Sequence, residues 1–191
     1  MICIIDCGSQ KTPEIERIVY EYMDTKIIGM YDFDPKLDLP DSKGIIISGA
    51  PILITEKEPE PFLALFEWLK TVDIPVLGIC FGHQMLGMTF GALASRQKED
   101  RDWQTIEILE ECPLFSKLGN EIELMEDHCE CISIPPDFIH VGVSDSCVNE
   151  AMMHKSKQLY GVQFHPEVSG NHGAVILENF VNICEGRREE Y

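Results

Sequence analysis

The stretch "PVLGICFGHQMLG", residues 75–87, sets one cysteine at the end of an apolar run, with a glycine two residues before it and another two residues after. Residues 75–80 read as a buried strand, and Met85, Leu86 and Phe90 as the apolar stripe of a helix opening at Gly82. A chain that turns sharply from strand into helix has no room for side chains beside the turn, and Gly78 and Gly82 remove them. A structural cysteine would need neither glycine. The pattern is that of a nucleophile elbow, with Cys80 in a strained backbone at the carboxyl end of a strand.

The elbow sits in an alternating frame. Residues 1–6, "MICIID", predict a first strand, and Ile15, Ile18, Val19, Tyr22 and Met23 recur as one face of a helix. Residues 26–31 predict a second strand. Residues 43–48, "KGIIIS", predict a third, apolar enough to be buried on both faces. Phe62, Leu65, Phe66 and Leu69 mark a helix before the elbow strand. Strands alternating with helices imply right-handed crossovers and an α/β fold, a parallel sheet covered on both faces. After the elbow helix the pattern changes. Residues 103–109, 121–126, 138–144, 150–154 and 159–164 are short strand candidates, which predict antiparallel additions to the sheet. A last helix carries Ile176, Leu177, Phe180, Val181 and Cys184 on one face, and 185–191 is expected to be a frayed tail.

Composition narrows the function. The 191 residues show no internal shift in character, so a single domain over 1–191 is expected. The net charge of −18 argues against a nucleic-acid binder, which relies on Lys and Arg. Gly and Pro break every apolar run well short of the ~20 residues of a membrane span, so no membrane partner is expected. The opening residues lack the basic region of a signal peptide, and a cytoplasmic location is expected. The eight cysteines follow no secreted framework, and most are expected to be reduced core thiols.

A thiol nucleophile needs a base, and the base needs orienting. His165 follows the strand candidate 159–164, so it also lies at a strand's carboxyl end, where ligands bind in such sheets. Glu167 comes two residues later across the stiff Pro166, placed to hold one imidazole nitrogen while the other faces Cys80. The segment "MEDHCECI" (125–132) brings His128, Cys129, Glu130 and Cys131 together. Its soft ligands invite a metal reading, but Cys-x-Cys without a second pair lacks zinc spacing, and no metal is expected.

Taken together, "GICFGHQ" (78–84) and "GVQFHPEV" (161–168) resemble the class I, triad-type glutamine amidotransferases, over nearly the whole chain. "IIDCGSQ" (4–10), and "HPEV" followed by "ILENF", are similar to the amidotransferase part of GMP synthetases. The resemblance implies a flavodoxin-like three-layer fold with a mostly parallel central sheet. It implies that Cys80 attacks the side-chain amide of glutamine, His165 moves the proton and Glu167 orients His165, with no cofactor. It places the oxyanion hole at the backbone N–H groups of Ala50 and Phe81, assigns Gln84 to substrate binding, and gives His83 no role. Where the family usually has Ser-Gly-Gly-Pro, this chain has "SGAP" (48–51). Alanine keeps the N–H but resists positive φ, so a glycine-only geometry there would misplace the donor.

No phosphate loop or acceptor-activating segment is evident, so ammonia is expected to pass to a separate ATP-dependent synthase subunit, with XMP aminated to GMP there. Three alternatives stay open. One is the small subunit of another synthase, such as anthranilate or aminodeoxychorismate synthase. The others are a stand-alone γ-glutamyl hydrolase and a non-catalytic regulatory subunit.

Overall fold

The structure is a computed structural model, and it describes residues 1–187. Its first half runs β1 (Ile2–Asp6), α1 (Thr12–Val19), β2 (Thr25–Gly29), α2 (Pro35–Asp38), β3 (Gly44–Ile47), α3 (Glu60–Phe66), β4 (Val76–Ile79) and α4 (Phe81–Thr89). Then come β5 (Ala94–Asp100), β6 (Trp103–Ile108), β7 (Glu121–Met125), β8 (His128–Ile132), β9 (Phe138–Val143), β10 (Ala151–His154), β11 (Leu159–Val162) and α5 (Gly170–Cys184).

Nine strands form one sheet in the order β2-β1-β3-β4-β11-β10-β9-β6-β7. From β2 to β11 every pairing is parallel, and from β11 to β7 every pairing is antiparallel. The all-apolar strands still alternate, because successive side chains leave opposite faces of a sheet. Ile2, Ile4, Ile46, Leu77 and Ile79 pack with Ile15, Val19, Ile176, Leu177 and Phe180 of α1 and α5. Cys3, Ile5, Ile45, Ile47 and Val76 pack with Phe66, Met85 and Leu86 of α3 and α4 on the other face. The result is three layers, as expected.

One expectation needs correction. Residues 159–164 do not add an antiparallel strand: β11 lies parallel beside β4, Gly161 opposite Gly78, at the edge of the parallel half. The excursion through β5–β10 serves as the long crossover that a parallel neighbour requires. In addition, β5 and β8 form a separate two-stranded sheet. Of the expected tail, 188–191 lie outside the described residues, and Gly186 and Arg187 close a turn by donating to the carbonyls of Ile183 and Asn182. No helix among the described residues is long and apolar enough to cross a membrane.

Six cysteines are free, and Cys3, Cys7, Cys80 and Cys112 among them are buried. Cys131 and Cys147 are joined as a disulfide, which ties β8 to the loop between β9 and β10. Pairing depends on which strands the fold brings together, and spacing alone does not reveal it.

Candidate active site

The carboxyl ends of β1, β3, β4 and β11 open into one pocket of about 580 Å³. Gly8 to Lys11 follow β1, Ala50 to Leu53 follow β3, Cys80 and Gln84 follow β4, and His165 follows β11. Arg101 and residues 127–130 close the side nearest the small sheet.

Cys80 sits at φ 50° and ψ −104°, in the left-handed half of the map and at the N-terminal end of α4. These angles suit the first central residue of a type II′ turn, a position that glycine normally fills. The flanking glycines are explained by contact. A Cβ on Gly78 would lie 2.5 Å from the backbone of Gly82, and a Cβ on Gly82 would lie 2.3 Å from the Ile47 carbonyl oxygen. The Phe81 ring anchors the turn edge-on against Phe62 and Phe66. Its N–H opens α4, where no intrahelical acceptor exists.

His165 Nδ1 lies 2.7 Å from Glu167 Oε1, and the same imidazole shares the pocket lining with Cys80, both side chains lying against Gly49. All three side chains are buried. Burial alone would push His165 down. Interaction with Cys80, and then with the Glu167 carboxylate, outweighs that and raises His165 to about 10. A raised imidazole keeps its proton near neutral pH, as a group that is to donate to a leaving amine must. Its backbone is fixed as well: the His165 N–H donates to Met125 O at 2.9 Å, and Ser169 Oγ donates to His165 O at 2.6 Å.

Ala50 lines the pocket without strain. Among the described residues, positive φ outside glycine occurs at Cys80 and Lys117, so Ala50 does not need the conformation that alanine resists. The Ser48 hydroxyl steadies the loop by accepting from Cys7 N–H and donating to Gly49 O, each at 2.9 Å.

Gln84 is buried, and its amide donates to Gln163 Oε1 at 3.1 Å and to Glu130 O at 3.2 Å. Gln163 in turn points its Nε2 at Cys80 Sγ, 3.6 Å away. Gln163 was not singled out from sequence, although it lies inside the quoted "GVQFHPEV". Glu130 holds the loop after β3: its carboxylate accepts from the N–H groups of Ile54 at 2.8 Å and Thr55 at 2.9 Å. Cys129 is partly exposed at the pocket wall and Cys131 is in the disulfide, so "HCEC" does not gather as one ligand set.

Three charged groups at the pocket were also missed. Asp127 pairs with Lys11 at 2.5 Å and with Arg101 at 3.4 Å. Partial burial works against its charge, but Lys11, His165 and Arg101 outweigh it and hold the carboxyl below its usual range. Deeper, Glu126 and Glu150 are fully buried beside His128. Burial pushes Glu126 up to about 8, and burial followed by the charge of Glu126 raises Glu150 well above the carboxylate range. His83 lies outside the pocket; burial drives it down to about 3, so it is a neutral core imidazole.

The class-I glutamine amidotransferase profile matches residues 3–184. The chain is 38% identical over 188 residues to the glutamine-hydrolysing GMP synthase subunit of Pyrococcus furiosus, covering 96% of this chain and 98% of that one. A solved Thermoplasma acidophilum structure, described as a candidate GMP synthase subunit, superposes with a TM-score of 0.88 at 30% identity, over 97% of this chain and 94% of that one. A Thermotoga maritima glutamine amidotransferase structure has the same fold, with a TM-score of 0.74 at 21% identity over 99% and 85% of the two chains.

Proposed function

Because this chain belongs to the class-I glutamine amidotransferase family, we propose that its pocket hydrolyses glutamine to glutamate and ammonia, and that the ammonia goes to a separate GMP synthase subunit. The observation that carries this reading is the strained Cys80, in one pocket with an imidazole that Glu167 holds from behind at 2.7 Å.

The chemistry follows from how these groups are arranged. The Cys80 sulfur attacks Cδ of the glutamine side chain, and the carbonyl π pair moves onto oxygen. Phe81 N–H, at the free end of α4, and Ala50 N–H receive that charge. His165 then gives its proton to the amide nitrogen, the C–N bond breaks, and ammonia leaves a γ-glutamyl thioester. In the second half, neutral His165 takes a proton from water as the hydroxyl oxygen attacks the thioester. Collapse expels the sulfur and releases glutamate. Glu167 keeps Nε2 aimed at the reacting atoms by accepting from Nδ1 in both halves. Gln84 and Gln163 shape the wall beside the sulfur.

The Pyrococcus furiosus relative is one component of a glutamine-hydrolysing GMP synthase, which supports a partner that consumes the ammonia in an ATP-dependent amination of XMP. The test is ammonia release from glutamine while the candidate ATP-pyrophosphatase subunit is titrated in, with XMP and ATP present. Activity should rise with partner, and a glutamine-derived diazo-ketone should label Cys80 one-to-one. Full activity of the lone chain, unmoved by any partner, would favour the stand-alone hydrolase. Activation by a chorismate-utilising subunit would favour the other synthases. Labelling elsewhere, with Cys80 untouched, would remove the nucleophile assignment.

A further inference from the structure

Behind the pocket wall, Glu126, His128 and Glu150 bring one ligand atom each to within 4.8 Å of one another. Glu126 and Glu150 are 0% exposed, and the His128 side chain is 2% exposed. Both oxygens of Glu126, one oxygen of Glu150 and His128 Nε2 have no hydrogen-bond partner. His128 Nε2 and Glu126 Oε2 are 3.2 Å apart but not aligned as a hydrogen bond. Among the described residues, no lysine or arginine pairs with either acid, and Asp100 adds a further negative charge nearby.

The tautomer of His128 makes this arrangement specific. Nδ1 lies 3.2 Å from the Glu130 carbonyl oxygen, which can only accept, so Nδ1 carries the proton. Neutral His128 therefore presents a bare lone pair at Nε2. That lone pair faces the unpartnered Glu126 and Glu150 oxygens, and among the described residues no lysine, arginine or hydroxyl reaches any of these four atoms.

We propose that Glu126, His128 and Glu150 form a binding site for one divalent first-row metal ion, with Zn²⁺ the best match. Two carboxylates and one imidazole are a hard-to-borderline donor set suited to Zn²⁺, and Mn²⁺ comes next. Bonds of about 2.0–2.1 Å at tetrahedral angles place ligand atoms ~3.3 Å apart, and the Glu126–His128 separation already meets that spacing. The supporting contacts are those that metal ligands use. His128 donates its other ring N–H to a backbone carbonyl, and Glu150 Oε1 accepts from Ser144 Oγ at 2.6 Å. The ion would join the turn between β7 and β8 to the start of β10. It would thus fasten the small β5–β8 sheet, which supplies a wall of the pocket, to the main sheet.

The test uses the full chain, stripped with a chelator, and reads metal uptake rather than glutaminase activity. Its failure would therefore leave the proposed function standing. Titration with Co²⁺ should give one equivalent with visible d–d absorption and no near-ultraviolet thiolate charge-transfer band. Zn²⁺ should displace it and raise the melting temperature. Glu126→Gln and Glu150→Gln should each weaken binding at least tenfold, and Cys129→Ser should not change it. No stoichiometric uptake, a thiolate band lost in Cys129→Ser, or uptake that survives both glutamine variants would each overturn the proposal. If neither glutamine variant folds, the wild-type chain decides: a melting temperature that Zn²⁺ raises and chelation restores supports the site, and one unmoved by Zn²⁺ removes it.

Discussion

Replacing Cys80 by glycine is expected to give a more stable protein than replacing it by alanine, the reverse of the order at an ordinary position. Both changes delete the sulfur and its contact with Gln163, so those losses cancel in the comparison. What differs is the backbone. At φ 50° and ψ −104° an L residue is held against its preference, at a cost of about 1–3 kcal/mol, and glycine is not. Glycine gives back about 0.4–1 kcal/mol through the freer unfolded chain. The net should favour Cys80→Gly by about 1 kcal/mol, which is roughly 2–4 °C in a chain of this size. Because Cys80 is also the residue that opens α4, glycine's better helix-capping could imitate this result. Cys80→Ser separates the two effects, since serine caps well but cannot relieve the φ. Urea unfolding of the three variants should therefore rank glycine above serine and alanine. Serine at or above glycine, or alanine above glycine, would refute the claim that the elbow stores backbone strain.

Gly82→Ala should cost about 3 kcal/mol or more, because the new Cβ meets the Ile47 backbone and neither β3 nor α4 can yield; an unfolding midpoint near wild type would contradict the close approach. Ala50→Gly should leave kcat for glutamine hydrolysis within about twofold, because Ala50 has no positive φ for glycine to relieve, and a clear rise would show that alanine misplaces the donor. Glu167→Gln should slow turnover less than His165→Ala, and the double variant should be hardly worse than His165→Ala, as for groups acting as a unit; additive losses would place Glu167 outside the set. His83 titrates near 3 when folded and near ~6.5 when unfolded, so only the unfolded chain takes the proton between those values. Its contribution to stability is whole above pH ~6.5 and falls as pH drops toward 3, and His83→Gln should flatten that fall by about 1 kcal/mol per pH unit, whereas parallel pH curves for the two proteins would refute it.

The parts of the molecule readable from sequence are those fixed by local constraint. The elbow was legible because two glycines flank the cysteine, and contact with Gly82 and Ile47 backbone explains both. The parallel strands were legible because "KGIIIS" and "PVLGIC" leave no polar face to expose. β5 was not. Its sequence "ASRQKED" is mostly exposed and has no apolar period, so only pairing with β8 makes it a strand. The parallel placing of β11 was missed for a related reason. Periodicity identifies a strand but does not say which edge the chain returns to. The buried acids were hidden by abundance. In a chain with 33 Asp and Glu residues, nothing near Glu126 or Glu150 sets these two apart from a solvated exterior. Gln163 reaches Cys80 across 83 residues, a contact that exists only once β4 and β11 are neighbours.

That neighbourhood also explains how His165 and Cys80, far apart in the chain, come to line one pocket. Ile79 pairs with Val162, so Cys80 is one residue past the end of β4 and His165 is three past the end of β11. Adjacent strands run about 4.8 Å apart, and the chains leaving their carboxyl ends stay within side-chain reach of each other. The Cys80 N–H donates to Val162 O at 2.9 Å, so the last rung of the ladder lies directly beneath the site. The contact is set by the register of the two strands and not by the length of the excursion between them. Additions within β5–β10 could lengthen that excursion without moving either group. A slip of β11 by one residue could not be tolerated in the same way. It would turn Leu159 and Tyr160, which pack on opposite faces of the sheet, each into the other's core, and would swing His165 away from the thiol. The spacing of Cys80 and His165 is therefore protected by the same apolar packing that fixes the sheet.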